Sequence, residues 1–150
     1  MVEAERTQTK SDPRVYEHLA AIVGSRNASI SEDVLYTYSE DFLTFQAPGK
    51  AEYVVMPRTT EEIQAIMRLA NLKKIPVVPW ASNLSIGALC TPLTGGIVLD
   101  LKRMNRILEV NEDDLYFVVE GGATSADVVG YMNKHYPEYR VPVTFAPPSC

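Results

Sequence analysis

Several things are scarce in this chain. It has 2 Cys and 2 His in 150 residues, and each scarcity removes a class. Two cysteines, Cys90 and Cys150, make neither a disulfide scaffold nor a Cys-rich zinc site. His18 and His135 stand far apart and lack metal-ligand spacing. The charge balance is acidic, 14 Lys+Arg against 19 Asp+Glu for a net −5, so the basic footprint of nucleic-acid binding is missing. No apolar run approaches the roughly 20 residues of a membrane span. The opening MVEAERTQTK lacks the apolar stretch of a secretory signal. The expected address is the cytoplasm, with peripheral membrane association left open. No G-x-G-x-x-G, no G-x-x-x-x-G-K-[ST] and no G-x-S-x-G occurs, which removes the Rossmann, Walker and hydrolase-elbow readings.

What remains fits one α/β domain. Apolar residues make up 46% of the chain, enough for a core. Residues 1–13 are polar and read as a flexible lead-in, with one domain over 14–150. Val15, Leu19 and Ile22 recur with helical spacing, and Gly24 follows as a stop. Asn27 to Gln46 reads as a short helix followed by irregular chain. Tyr53–Met56 is β-prone and ends at Pro57. Thr59 and Glu62 then form a capping box for a helix whose apolar face is Ile63, Ile66, Met67, Ala70 and Leu72. Lys73 and Lys74 suit its carboxyl end. Val77-Val78 begins a second strand, giving a β-α-β unit with a helical crossover between parallel strands. Ile97–Leu101 is a third strand. Ile107–Val110 and Tyr116–Val119 flank an acidic hairpin turn, Asn111–Asp114. Thr124 and Asp127 imitate a capping box for a helix over Ser125–His135, with Val128, Met132 and His135 on one face. Val141–Val143 reads as a final short strand. The expected fold is α/β (α+β), a small, mainly parallel sheet with flanking helices.

The candidate chemistry lies in two small-residue loops. Pro79–Leu89 reads P-W-A-S-N-L-S-I-G-A-L. Small residues let backbone approach a ligand, and successive N–H groups can hold a phosphate. Ser82, Asn83 and Ser85 add side-chain donors. The plainer reading is an ordinary structural loop. Gly121-Gly122-Ala123-Thr124 opens a helix and can face a phosphate, or can simply be a strand-to-helix turn. Trp80 either packs or stacks on an aromatic ring. Lys102, Arg103 and Arg106 make a basic cluster, either a solvated face or a phosphate partner. Cys90 reads as a buried thiol, and both histidines as surface or packing residues.

Four blocks in order carry a resemblance: V-V-M-P-R-T-T-E-E-I, P-V-V-P-x-x-S-N-L-S-x-G-A-L, G-I-V-L-D-L-K-R-M-N-R-I-L-E-V and V-E-G-G-A-T. The stretch from about Val15 to Cys150 resembles the amino lobe of the FAD-binding domain of the p-cresol methylhydroxylase/vanillyl-alcohol oxidase superfamily. That superfamily includes glycolate oxidase subunits and D-lactate dehydrogenases. Leu99–Leu108 is the most specific block. The resemblance implies FAD as cofactor, held through the loop matching Pro79, Trp80, Ala81, Ser82, Asn83, Leu84, Ser85 and Gly87, with Gly121 and Gly122 near it. It implies oxidation of a small 2-hydroxy acid such as D-lactate or glycolate. The alternatives are a para-substituted phenol as substrate, or a lobe that has lost FAD and serves as an interaction module.

The loop departs from the family pattern. Trp80, Ala81 and Ile86 stand where arginine or glycine is common, and a Cβ there hinders close backbone approach. No His stands in the loop for covalent flavin attachment. The chain stops before the family's second glycine-rich block and its substrate domain. It therefore reads as a truncated piece without identified catalytic residues, whose exposed apolar surface expects a missing second half or a homo-oligomer.

Overall fold

A computed structural model describes residues 11–39, 49–81 and 89–142. Helix α1 (Pro13–Val23) starts with Asp12, whose side chain accepts from the Arg14 N–H, and with Pro at the first helical position, where its missing N–H costs nothing. The helix thus begins inside the stretch expected as a lead-in. The segment after Gly24 is more regular than the sequence pattern suggested. A 3-10 turn leads to the two-residue strand β1 (Ala28–Ser29) and the short helix α2 (Glu32–Tyr36).

Strand β2 (Tyr53–Val55), helix α3 (Thr60–Lys73), strand β3 (Val77–Trp80) and strand β4 (Ile97–Asp100) build the main sheet. Its order is β1-β2-β4-β3. β4 is parallel to both β2 and β3, while β1 is antiparallel to β2. The β2-α3-β3 unit therefore exists, but its strands are not neighbours. β4 enters between them. All four of its residues are buried, and only a central position covers both faces.

Period-two alternation divides the core. Tyr53, Val55, Ile97 and Leu99 face α1 and α3, meeting Val15, Leu19, Val23, Ile66 and Ala70. Val54 and Val98 face the other way, toward Tyr38, Ala51 and Trp80. On α3 the capping expectation holds in part. Thr59 accepts from the Glu62 N–H, but the Glu62 carboxylate reaches back to the Arg58 N–H at 2.6 Å. Its buried face is Ile66 and Ala70 with Ile63 and Leu69 beside them. Met67 and Leu72 are exposed instead, at 45% and 77%, because the stripe facing the sheet is narrower than the apolar set.

One glycine is required where β4 begins. Gly96 has φ of +97°, and a Cβ there would lie 2.3 Å from the Pro76 carbonyl oxygen. Its N–H donates to Glu52 Oε2 at 3.0 Å and its carbonyl accepts from the Glu52 N–H at 2.9 Å.

β5 (Ile107–Asn111) and β6 (Tyr116–Val119) form a separate antiparallel hairpin. Asn111 Oδ1 accepts from the Asp114 N–H at 2.8 Å in its turn, and Leu115 takes a positive φ of 56°. Leu108, Leu115, Tyr116, Phe117 and Val118 are exposed on this hairpin. Helix α4 (Ser125–His135) carries the full Thr124/Asp127 capping box and buries Val128 and Met132. His135 stays exposed. Val141 and Pro142 are not in a strand, and Pro142 has no N–H to pair. Among the described residues no helix is long and apolar enough to cross a membrane.

Ile66 is fully buried between α3 and the sheet. Ile66→Ala should lower unfolding stability by about 2–5 kcal/mol, through lost burial and a residual cavity. Chemical denaturation measures it, and an unchanged midpoint would contradict the packing described.

Candidate functional site

The ends of parallel strands are where open α/β sheets bind ligands, at the carboxyl side. Here the carboxyl ends of β2, β3 and β4 carry Met56, Ala81 and Leu101, and the candidate residues gather around the last two. The stretch singled out as a loop begins in strand instead, since Pro79 and Trp80 close β3. Proline is tolerated there because β3 is an edge strand. Pro76 and Trp80 bond to β4, so alternation turns the nitrogen of Pro79 outward.

Trp80 is only 3% exposed. Its ring meets Tyr38 edge-on, with centroids 4.9 Å apart, and packs with Val54 and Val98. Ala81 is half-buried. Ser82, Asn83, Leu84, Ser85 and Gly87 lie outside the described residues, as does Ile86. Gly121 is exposed and Gly122 is buried.

A hydrogen-bonded path joins these two distant segments. The Leu101 N–H donates to the Trp80 carbonyl, the Met104 N–H to the Leu101 carbonyl, and the Gly122 N–H to the Met104 carbonyl, each at 2.8 Å. The 101–104 turn is therefore the bridge between Pro79–Ala81 and Gly121-Gly122. Gly122 has a steric reason for its identity. A Cβ there would stand 1.9 Å from the Leu101 carbonyl oxygen and 3.0 Å from that of Met104. At Gly121 the nearest neighbour is the flexible Leu101 side chain, at 3.3 Å.

The charges at this rim are mutually engaged. Asp100 is fully buried. It accepts from the Tyr38 hydroxyl at 2.7 Å and from the Lys102 N–H at 2.9 Å, with Lys102 Nζ at 3.5 Å. Burial, then the Asp100 hydrogen bond and charge, push the Tyr38 hydroxyl above the ordinary tyrosine range. Glu120 accepts from Arg106 Nε at 3.0 Å, Nη2 at 2.7 Å and the Arg106 N–H at 2.9 Å. These bonds hold its carboxyl below the usual range. Arg103 Nη1 donates to the Met56 carbonyl at 2.6 Å. Each member of the basic cluster thus bonds to the protein, while the Lys102 and Arg106 side chains stay exposed to solvent.

The arrangement brings small residues and paired carboxylates together at the carboxyl ends of β3 and β4. The histidines lie elsewhere. His18 Nδ1 is 2.7 Å from the Arg14 carbonyl, and His135 lies against Tyr131 with centroids 4.5 Å apart. Cys90 is half-buried beside the Tyr38–Trp80 cluster. Sequence reasoning missed Asp100 and Tyr38. The available signal was an acid ending the apolar run Ile97-Val98-Leu99.

Two expectations follow. Gly122→Ala should destabilise the fold by about 1–3 kcal/mol or more, as an overpacked site, whereas Gly121→Ala should be nearly neutral. Thermal melting compares them, and equal losses would contradict the close approach at Gly122. Glu120 has a depressed carboxyl pKa, so its pairing stabilises the fold above the ordinary carboxylate range. That stability is lost as pH falls through the lower folded value. Glu120→Gln should flatten the acid limb of a stability-versus-pH curve; an unaltered limb would show that the pair contributes nothing.

Comparison with known proteins places the chain. A family model described as "FAD binding domain" matches residues 51–149. The chain is 33% identical over 115 residues to the glycolate oxidase subunit GlcD of Bacillus subtilis, covering 77% of this chain and 24% of that protein. It superposes on p-cresol methylhydroxylase with a TM-score of 0.75 at 24% identity, covering 91% of this chain and 27% of that one. It also superposes on 4-ethylphenol oxidase from Gulosibacter chungangensis with a TM-score of 0.72 at 30% identity, covering 81% and 24%. The chain thus spans about a quarter of the length of these relatives. The shared fold is the mixed α/β lobe with the small, mostly parallel sheet described above. A match over most of the chain, with the family's fold around a carboxyl-end rim, makes this chain a member of the FAD-binding domain family of flavoproteins.

Proposed function

We propose that this chain is the cofactor-binding part of a flavin-dependent oxidoreductase acting on a small 2-hydroxy acid of the glycolate or D-lactate type. The observation that carries the reading is the convergence of Trp80-Ala81 and Gly121-Gly122 on the 101–104 turn. That rim suits a dinucleotide diphosphate in presenting no unpaired carboxylate to it. Ala81 and Gly121 bring backbone to the surface, and both nearby carboxylates are already bonded to cations or hydroxyl. An anion entering there meets no unpaired negative charge from Asp100 or Glu120.

In this reading Pro79, Trp80 and Ala81 form the β3 end of the cofactor site. Ser82, Asn83, Leu84, Ser85 and Gly87 then line the phosphates through their amides. Gly121 approaches the cofactor, and Gly122 fixes the turn that carries it. Bound FAD supplies the two-electron acceptor for oxidation of the substrate C–H. This chain's residues bind and orient.

The hydroxy-acid assignment draws on the 33% identity to a glycolate oxidase subunit. The 30% identity to a 4-ethylphenol oxidase favours a para-substituted phenol as the second reading.

Mixing the purified chain with FAD, removing unbound flavin and recording the visible spectrum tests the cofactor assignment. A flavin band near one equivalent is expected, and no retained band would refute binding by this chain. Anaerobic addition of glycolate, D-lactate or a 4-alkylphenol to the flavin-loaded longer protein then separates the substrates. Bleaching by a hydroxy acid is expected; bleaching by the phenol alone would reverse the assignment.

A further inference from the structure

Asp100 has an unusual place for a carboxylate. It ends the central strand β4 and is 0% exposed, among apolar neighbours. An ion there is tolerated only when its lone pairs are bonded. The bonds it makes are directed at particular elements. The Tyr38 hydroxyl comes from 62 residues earlier, just past α2, and donates at 2.7 Å. The Lys102 N–H donates at 2.9 Å from the turn that bridges to Gly122.

Tyr38 passes the constraint on. Its ring stands edge-on to Trp80 at 4.9 Å and 62°. Trp80 lies opposite Asp100 in the β3–β4 register, and its carbonyl accepts from the Leu101 N–H at 2.8 Å. Lys102 Nζ sits 5.8 Å from the Tyr38 ring centre, closing the outer side. The three side chains thus brace the last rung of the ladder before the chain leaves β3.

An apolar residue at 100 would fill this space without desolvating a charge. It would not fix the Tyr38 ring, because packing alone is non-directional while a hydrogen bond to a carboxylate sets one orientation. We propose that Asp100 is a positioning residue for cofactor binding: through the Tyr38 hydroxyl and the Trp80 ring it clamps the carboxyl end of β3, one side of the rim to which the FAD reading assigns the diphosphate. The cofactor half of this statement rests on the FAD reading above; the clamp itself does not.

Trp80 is the single tryptophan of the chain, so its fluorescence reports the clamp directly, without flavin. Tyr38→Phe and Asp100→Asn should each make Trp80 more accessible to acrylamide quenching. Each should weaken FAD binding about tenfold or more, the scale of a lost hydrogen bond to a charged group. Ile66→Val, in the other core cluster, provides general loosening, with melting temperature used to match the lost stability. It should leave both readouts at the wild-type values. Tyr38→Phe keeps the ring, so it serves if Asp100→Asn fails to fold.

Unchanged quenching in Tyr38→Phe overturns the clamp. Raised quenching with unchanged FAD affinity overturns the positioning role. A control that moves both readouts as far as the clamp variants overturns it as well. If the unaltered chain retains no FAD, the binding reading fails on its own. The quenching comparison still decides whether Asp100 holds the end of β3.

Discussion

Strand β4 is the constraint on which the rest depends. It is parallel to β2 on one side and β3 on the other, and all four of its residues are buried. Each face is claimed by a different core. Ile97 and Leu99 hold α1 and α3 against one side, while Val98 meets Tyr38 and Trp80 on the other. The crossover helix α3 would join β2 and β3 as neighbours by the shortest route. The insertion of β4 between them is what separates their ends. The turn after β4 then connects to the start of α4.

The same strand ends in the group least at ease in a core. Leaving Asp100 unbonded in that position would cost several kcal/mol, so its acceptors must be filled. The donors that fill them come from the end of α2 and from the 101–104 turn. Glu120 is handled in the same way, by both the side chain and the backbone of Arg106. Satisfying two carboxylates thus ties Tyr38 to the end of β4 across 62 residues and closes the base of the β5–β6 hairpin. It also leaves neither carboxylate at this rim unpaired.

Much of the local structure was legible because its causes are local. Helix α4 follows from Thr124 and Asp127 three residues apart, and the hairpin from two β-prone runs around Asn111–Asp114. Helix α3 was also legible, but its face was overcounted: apolar character placed Met67 and Leu72 inward, whereas Ile66 and Ala70, with Ile63 and Leu69 beside them, form the face against the core. Pro79 read as loop because proline argues against strands. The edge position of β3 removes that objection, and edge status is a property of the sheet rather than of the segment.

By itself the sequence determined most of the helices and strands, the turn at Gly121-Gly122 and the family, since capping, periodicity and motif order are written in neighbouring residues. Tertiary structure alone decided the strand order and the partner of each charge. It also showed that Gly122 is glycine because the Leu101 carbonyl occupies the space of its Cβ. Those facts depend on which distant segments meet. A buried carboxylate such as Asp100 takes its role from a partner 62 residues away, and no local pattern records that distance being closed.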